Sequence, residues 1–125
     1  MSRAAHTFRK RRGWDEAAFA GGLSDAISRP ERIAARLFAL RAEALLTGLS
    51  PVAARSRLSG LLIGIELAAA KPYWLGQDLV LVGAEALAVH YGAALAAQGV
   101  TARSLPASAC TIAGLATARP RPETA

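Results

Sequence analysis

One cysteine and two histidines in 125 residues close off several kinds of chemistry. With Cys110 alone, no internal disulfide and no thiolate metal cluster can be built, so a reducing, cytoplasmic setting is the default expectation. Flanked by Ala109 and Thr111 on an expected helix, Cys110 reads as a small core residue rather than a nucleophile. His6 belongs to the basic N-terminal segment and His90 to an apolar stretch, so neither a Ser-His-Asp arrangement nor a metal cluster can be assembled. Acid is missing altogether from the first twelve residues, where Arg3, Arg9, Lys10, Arg11 and Arg12 stand. These five supply most of the net charge of +6 and leave ten basic against nine acidic residues for the rest. Such a segment attracts nucleic acid or an acidic membrane by charge alone. Phe8 is its only aromatic and it carries no recognition motif, so residues 1–12 read as a solvated leader and nucleic-acid binding ranks last. Long uncharged runs are also lacking: Glu66 interrupts one apolar zone, Glu85 and His90 the other. No window of about 18 residues therefore reads as a transmembrane helix. The N-terminal arginines are not followed by the apolar core of a signal peptide, and there is no internal repeat.

What the chain has in surplus is apolar surface. Its composition is 53% hydrophobic and only 19% charged, richer in apolar residues than an average soluble domain, in a length that supports one core. The excess implies surface meant to be covered, by a missing lobe or by self-association.

The pattern predicts helices around one small sheet. Asp15 and Glu16 open a first helix through AAFAGGLSDAI, with acids where they complement the helix dipole, and Gly21-Gly22 weakens its middle. Pro30 and Glu31 start a second helix with apolar positions at Ile33, Leu37, Leu40 and Ala44, ended by Gly48. Ser50-Pro51 start a third, with a bend expected near Ser59-Gly60 and a stop at Lys71-Pro72. Leu79 to Val82 is a continuous apolar run, expected as a strand buried on both faces of a parallel sheet. A helix from about Ala84 to Gln98 follows. A second strand around Thr101 to Leu105 should return beside the first by a right-handed crossover, and Pro106-Ala107-Ser108 lead to a last helix through Ala118. Residues 119–125 read as a disordered tail.

Gly83 and Ala84 are the first site candidates. A glycine at a strand end lets a ligand approach the backbone, and the helix that follows offers unpaired N–H groups, the geometry of a nucleotide site. A strand, a glycine and a helix also occur in every α/β protein, so the unit alone carries little specificity.

The wording of the chain is more specific. GWDEAAFAGGL at residues 13–23, RLFALRAEALLTGLSP at 36–51, RLSGLLIGIELAAAKPYWLGQ at 57–77, LVLVGAEALAVHYGAAL at 79–95 and TIAGL at 111–115 stand in one order. Together they resemble the C-terminal part of the 2-keto-3-deoxy-galactonate kinases (2-dehydro-3-deoxygalactonokinases), members of the actin-like superfamily. The resemblance covers residues 13–118 and implies an α/β, predominantly helical C-terminal lobe of an actin-like, ribonuclease H-like ATPase with a small parallel sheet. It implies an enzyme that uses ATP and Mg²⁺ to phosphorylate 2-keto-3-deoxy-galactonate on its 6-hydroxyl. It further implies that Gly83 and Ala84 form the adenosine-side wall, with Ala84 where many superfamily members have a second glycine, and that Ser59 and Gly60 are weaker candidates. A phosphate-loop segment reading like PGTHSKW and an N-terminal Asp-Gly-Thr-type loop are both absent from these residues, and the basic leader departs from the family. The chain is thus expected to be the distal portion of a longer kinase and inactive alone, because phosphoryl transfer needs groups from both lobes. The competing expectation is a non-enzymatic helical module that binds a partner chain through its apolar surplus.

Three further groupings have two readings each. Gly60, Gly64 and Ala68 form a small-residue stripe, which suits either lobe closure or ordinary tight packing. Glu66 lies in an apolar run where an unpaired carboxylate would cost several kcal/mol, so a buried ion pair with Arg41 is favoured over a ligand-binding role. His90 and Tyr91 stand about two helical turns past the Gly-Ala turn, too far to reach a phosphate there. Residues 72–76, PYWLG, read as an aromatic loop, either flanking an adenine ring or plugging the sheet end.

Overall fold

The computed structural model describes residues 13–120, so the leader at 1–12 and the end at 121–125 lie outside the described residues. The chain runs α1 (Glu16–Ser28), a 3-10 turn (Pro30–Arg32), α2 (Ile33–Leu46), α3 (Pro51–Trp74), β1 (Leu79–Gly83), α4 (Glu85–Ala97), β2 (Ala102–Pro106) and α5 (Ala107–Ala118). It is predominantly helical with one small parallel sheet, and it divides into two compact units, one ending at Tyr73 and one beginning at Trp74.

In the first unit, α1 begins where it does because the Asp15 carboxylate accepts the Ala18 N–H at 3.0 Å, satisfying a donor that the helix itself leaves open. The Asp15 N–H donates in turn to Ser56 Oγ at 2.9 Å. Ser56 is fully buried on α3, so this bond ties the start of α1 to the middle of that helix. Phe19, Gly22, Leu23 and Ala26 form the buried stripe of α1 at helical spacing. Its approach to α3 is close enough to exclude side chains: a Cβ on Gly22 would overlap the carbonyl oxygen of Arg57, and one on Gly60 the carbonyl oxygen of Phe19. On Gly64 it would come within 2.7 Å of the Ala26 Cβ. Gly22 therefore permits a close backbone approach at the expense of helix propensity, about 1 kcal/mol relative to alanine. Gly21, expected to weaken α1 alongside it, has nothing within 4 Å of its Cβ position.

Ala26, Leu40 and Leu61 make the centre of this unit, with Ile33, Leu37, Leu49 and Ala54 packed around them. Ile33, Leu37 and Leu40 thus face inward as their spacing predicts, whereas Ala44 is exposed. Gly48 adopts φ of +72° just past α2, a left-handed conformation that suits glycine, and Ser50 Oγ caps α3 by accepting the Ala53 N–H at 3.1 Å.

Two expectations for α3 are corrected. The helix does not stop at Lys71-Pro72 but runs through Pro72 to Trp74. A proline in the last turn forgoes one hydrogen bond to the preceding turn without breaking those already made, and Gly76 at φ of +71° then turns the chain. Residues 72–74 are therefore helical rather than part of an aromatic loop, with Trp74 buried and Tyr73 81% exposed. The expectation that Glu66 and Arg41 are buried together is overturned, since both residues are exposed. Glu66 follows Leu58 and Leu62 on an outward stripe of α3, and Arg41 sits about 100° around α2 from the inward Leu40. Three residues past Leu40, Glu43 is on the inward side, and its Oε2 pairs with Arg57 Nη1 at 2.6 Å across the two helices.

In the second unit, β1 and β2 pair in parallel with Leu79 opposite Ala102 and Gly83 opposite Pro106. The crossover that parallel pairing requires is α4, which buries Ala94 and Leu95. The expectation that β1 is buried on both faces is corrected: Leu79 and Leu81 are half-buried, while Val80 is 41% and Val82 55% exposed. Alternation follows from the pleat, which sends neighbouring side chains to opposite faces. Leu81 points toward α4, its Cδ1 lying 3.9 Å from where a Cβ on Gly92 would stand, so the other face carries Val80 and Val82. The second strand passes into α5 without a connecting residue.

Candidate functional site

Parallel pairing puts the C-terminal ends of β1 and β2 side by side at Gly83 and Pro106, and a helix begins at each. Neither start is capped by a side chain, because the N-cap positions are Ala84 and Pro106. Two helix starts with unpaired N–H groups thus share one sheet edge, where ligands of open α/β sheets bind. Gly83 is the last residue of β1 rather than a separate turn, and nothing lies within 4 Å of its Cβ position. Ala84 (φ −61°, ψ 137°) has ordinary extended backbone, so no glycine is needed there.

Two clefts flank the start of α4 and meet at Gly83 and Ala88. The smaller, of about 260 Å³, is lined by Leu81, Val82, Leu87 and Tyr91 besides those two. The larger, of about 520 Å³, opens between α4 and β2. Along α4 it is bounded by Glu85, Ala88, Val89 and Gly92, residues whose spacing puts them on one helical face. Ser104, Leu105 and Pro106 bound it on the strand side. It exists because Gly83, Ala88, Gly92 and Ser104 are small where larger side chains would close it. Among the described residues, Glu85 and Ser104 bring the only side-chain polar groups to this lining, one carboxylate and one hydroxyl among apolar walls. Its size falls within the range of small-molecule sites, which are mostly apolar with a few placed polar groups.

The structure brings Gly83 and Ala84 to this edge as the sequence predicts. Ser59 and Gly60 belong to the other unit, where Gly60 is buried against the backbone of Phe19 and Leu23 and Ser59 is half-buried beside it. The Gly60–Gly64 stripe is thus occupied by α1, the tight-packing alternative of the two. Sequence reasoning passed over Glu85 and Ser104 as site residues. Glu85 was legible as the acid following the Gly-Ala turn. Ser104 becomes visible only through the register that sets it opposite Leu81, on the same face as α4. Tyr91, about two helical turns along α4, lines the smaller cleft. Among the described residues no group of three or more His, Cys, Asp or Glu is placed to hold a metal ion, and no helix is long and apolar enough to cross a membrane.

Comparison with known proteins gives this geometry a context. The sequence profile of the family described as 2-keto-3-deoxy-galactonokinase matches residues 2–118, a range that takes in the basic segment the sequence reading set apart from the family. A curated protein from Rhizobium meliloti (strain 1021), named as a 2-dehydro-3-deoxygalactonokinase, is 39% identical over 107 residues, covering 82% of this chain and 35% of its own length. A crystal structure from Sinorhizobium meliloti bearing the same enzyme name superimposes with a TM-score of 0.74 at 38% identity, covering 82% of this chain and 34% of that one. The chain spans about a third of the length of these relatives. With a profile match over nearly its whole length and agreement in both sequence and backbone, the chain belongs to the 2-keto-3-deoxy-galactonokinase family.

Proposed function

We propose that this chain supplies the adenosine-side wall of the ATP site in a kinase that phosphorylates 2-dehydro-3-deoxy-galactonate on its 6-hydroxyl, within an actin-like lobe and in the cytoplasm. The observation that carries the reading is the shared edge of β1 and β2, where Gly83 leaves room for a ligand beside the backbone and a largely apolar cleft of about 520 Å³ opens next to it. Apolar walls of Ala88, Val89 and Pro106 suit a purine and its sugar.

The residues here fit the nucleoside end of ATP and not its metal. Magnesium is held by one or two carboxylates together with substrate phosphates. Among the described residues, Glu85 is the only carboxylate on the cleft. Phosphate and Mg²⁺ binding are therefore assigned to the part of the kinase that the relatives have and this chain does not span. An ¹⁵N-labelled sample titrated with AMP tests the assignment. The expected result is saturable shifts at the amides of Gly83, Glu85 and Ser104. Shifts confined to residues outside 79–106, or none at all, would overturn it.

A second reading, a non-enzymatic module that binds a partner chain, draws on the outward face of β1, where Val80 and Val82 are exposed. The two readings separate on the same titration, because a pure interaction module has no reason to bind AMP.

A further inference from the structure

We infer that Glu85 decides which end of a nucleotide the cleft accepts, its carboxylate receiving the neighbouring hydroxyls of a ribose and its charge keeping phosphate away. This rests on the adenosine-side reading and adds a residue and a selectivity to it. Taken alone, two uncapped helix starts at one edge would favour an anion. Glu85 reverses that preference on the α4 side, since it occupies the first turn and brings a negative charge to the mouth of the cleft. A phosphate placed there meets a like charge at short range, whereas a hydroxyl finds a strong acceptor.

An ionised carboxylate has two oxygens and accepts hydrogen bonds only, so it matches a pair of adjacent O–H donors and no part of a phosphate. Ser104 faces α4 across the cleft through its register opposite Leu81, and its hydroxyl can either donate or accept. The remaining lining is apolar and would take a base or the carbon skeleton of a sugar. The arrangement therefore selects a neutral, diol-bearing group beside an aromatic base. Glu85 is exposed on a helical first turn, so replacing it removes the charge without disturbing a packed core.

The test is titration of the whole chain, followed by amide shifts, with adenosine, 2′-deoxyadenosine and inorganic phosphate as separate probes. The expected result for the unaltered chain is saturable binding of adenosine, weaker binding of 2′-deoxyadenosine and none of phosphate. Glu85→Gln should weaken adenosine about 10- to 100-fold, the range expected for a lost hydrogen bond to a charged group. It should leave 2′-deoxyadenosine less affected and let phosphate shift the Glu85–Leu87 region. Ser104→Ala serves as the second variant and should weaken adenosine by a smaller factor. Adenosine and 2′-deoxyadenosine that bind alike, unaltered by Glu85→Gln, would overturn the role of Glu85 while leaving the adenosine-side reading standing. Failure of adenosine to bind at all would overturn both.

Discussion

At the residue scale, the three buried glycines of the first unit differ in what they touch, and this fixes how each responds to substitution. Gly60 faces backbone, the Phe19 carbonyl above all, so no trimming of a neighbouring side chain can make room there. Gly60→Ala should cost about 1–3 kcal/mol or more through overpacking. Gly64 faces the Ala26 Cβ, a group that can be removed, so Ala26→Gly in the Gly64→Ala background should recover part of the loss. Thermal unfolding of the singles and the double checks both; a Gly60→Ala variant as stable as the parent would refute the close crossing. Charged residues divide just as sharply. Glu66→Ala should change stability by less than about 0.5 kcal/mol because the residue is exposed, and Arg57→Ala should cost about 0.2–1 kcal/mol for a partly exposed pair with Glu43. Larger losses at Glu66 than at Arg57 would reverse that assignment. Composition alone pointed to Glu66 because acid in an apolar run stands out. The actual pair was hidden because Glu43 and Arg57 sit on different helices and meet only once α2 and α3 have packed.

Among the elements, those governed by local chemistry were the most legible. Asp15, Ser50 and Gly48 mark helix ends through hydrogen bonds or backbone angles that involve only a few neighbouring residues, and they stand where the sequence predicts. The exit of α3 was less legible, because a proline in the final turn resembles one that terminates a helix. Burial of β1 was misjudged for a different reason: an apolar run states what a strand can tolerate on each face, and only the neighbouring layers decide what it receives. Here α4 covers the Leu81 side, while Val80 and Val82 on the other side stay exposed. Those two valines should make the chain self-associate. Changing both to threonine, which keeps β-branching and strand preference, should lower the weight-average mass in sedimentation while leaving far-UV circular dichroism unchanged. Unaltered association in the double variant would move the adhesive surface elsewhere.

For the molecule as a whole, the governing fact is that the chain spans about a third of the length of its relatives. Phosphoryl transfer depends on positioning and on charge stabilisation around the transferred group, and the cleft beside Gly83 offers apolar walls and a single carboxylate toward those ends. A coupled assay with ATP, Mg²⁺ and 2-dehydro-3-deoxy-galactonate should accordingly show no turnover above background for the purified chain. Turnover that scales with its concentration would refute the division of labour proposed here. The family itself was legible because five segments keep one order along the chain, a signal independent of how well any single element is understood. The cleft was not, since it lies between a helix and a strand that meet only through the crossover.

The junction at Pro106 carries a mechanical consequence. The last residue of β2 is followed at once by the first of α5, so strand and helix meet with no connecting residue between them. Leu105 and Pro106 line the cleft, and α5, which has no fully buried residue, stays in contact with both strands. The wall of the cleft and the first turn of α5 are therefore one continuous stretch of chain, so whatever fixes the end of β2 also fixes where α5 begins.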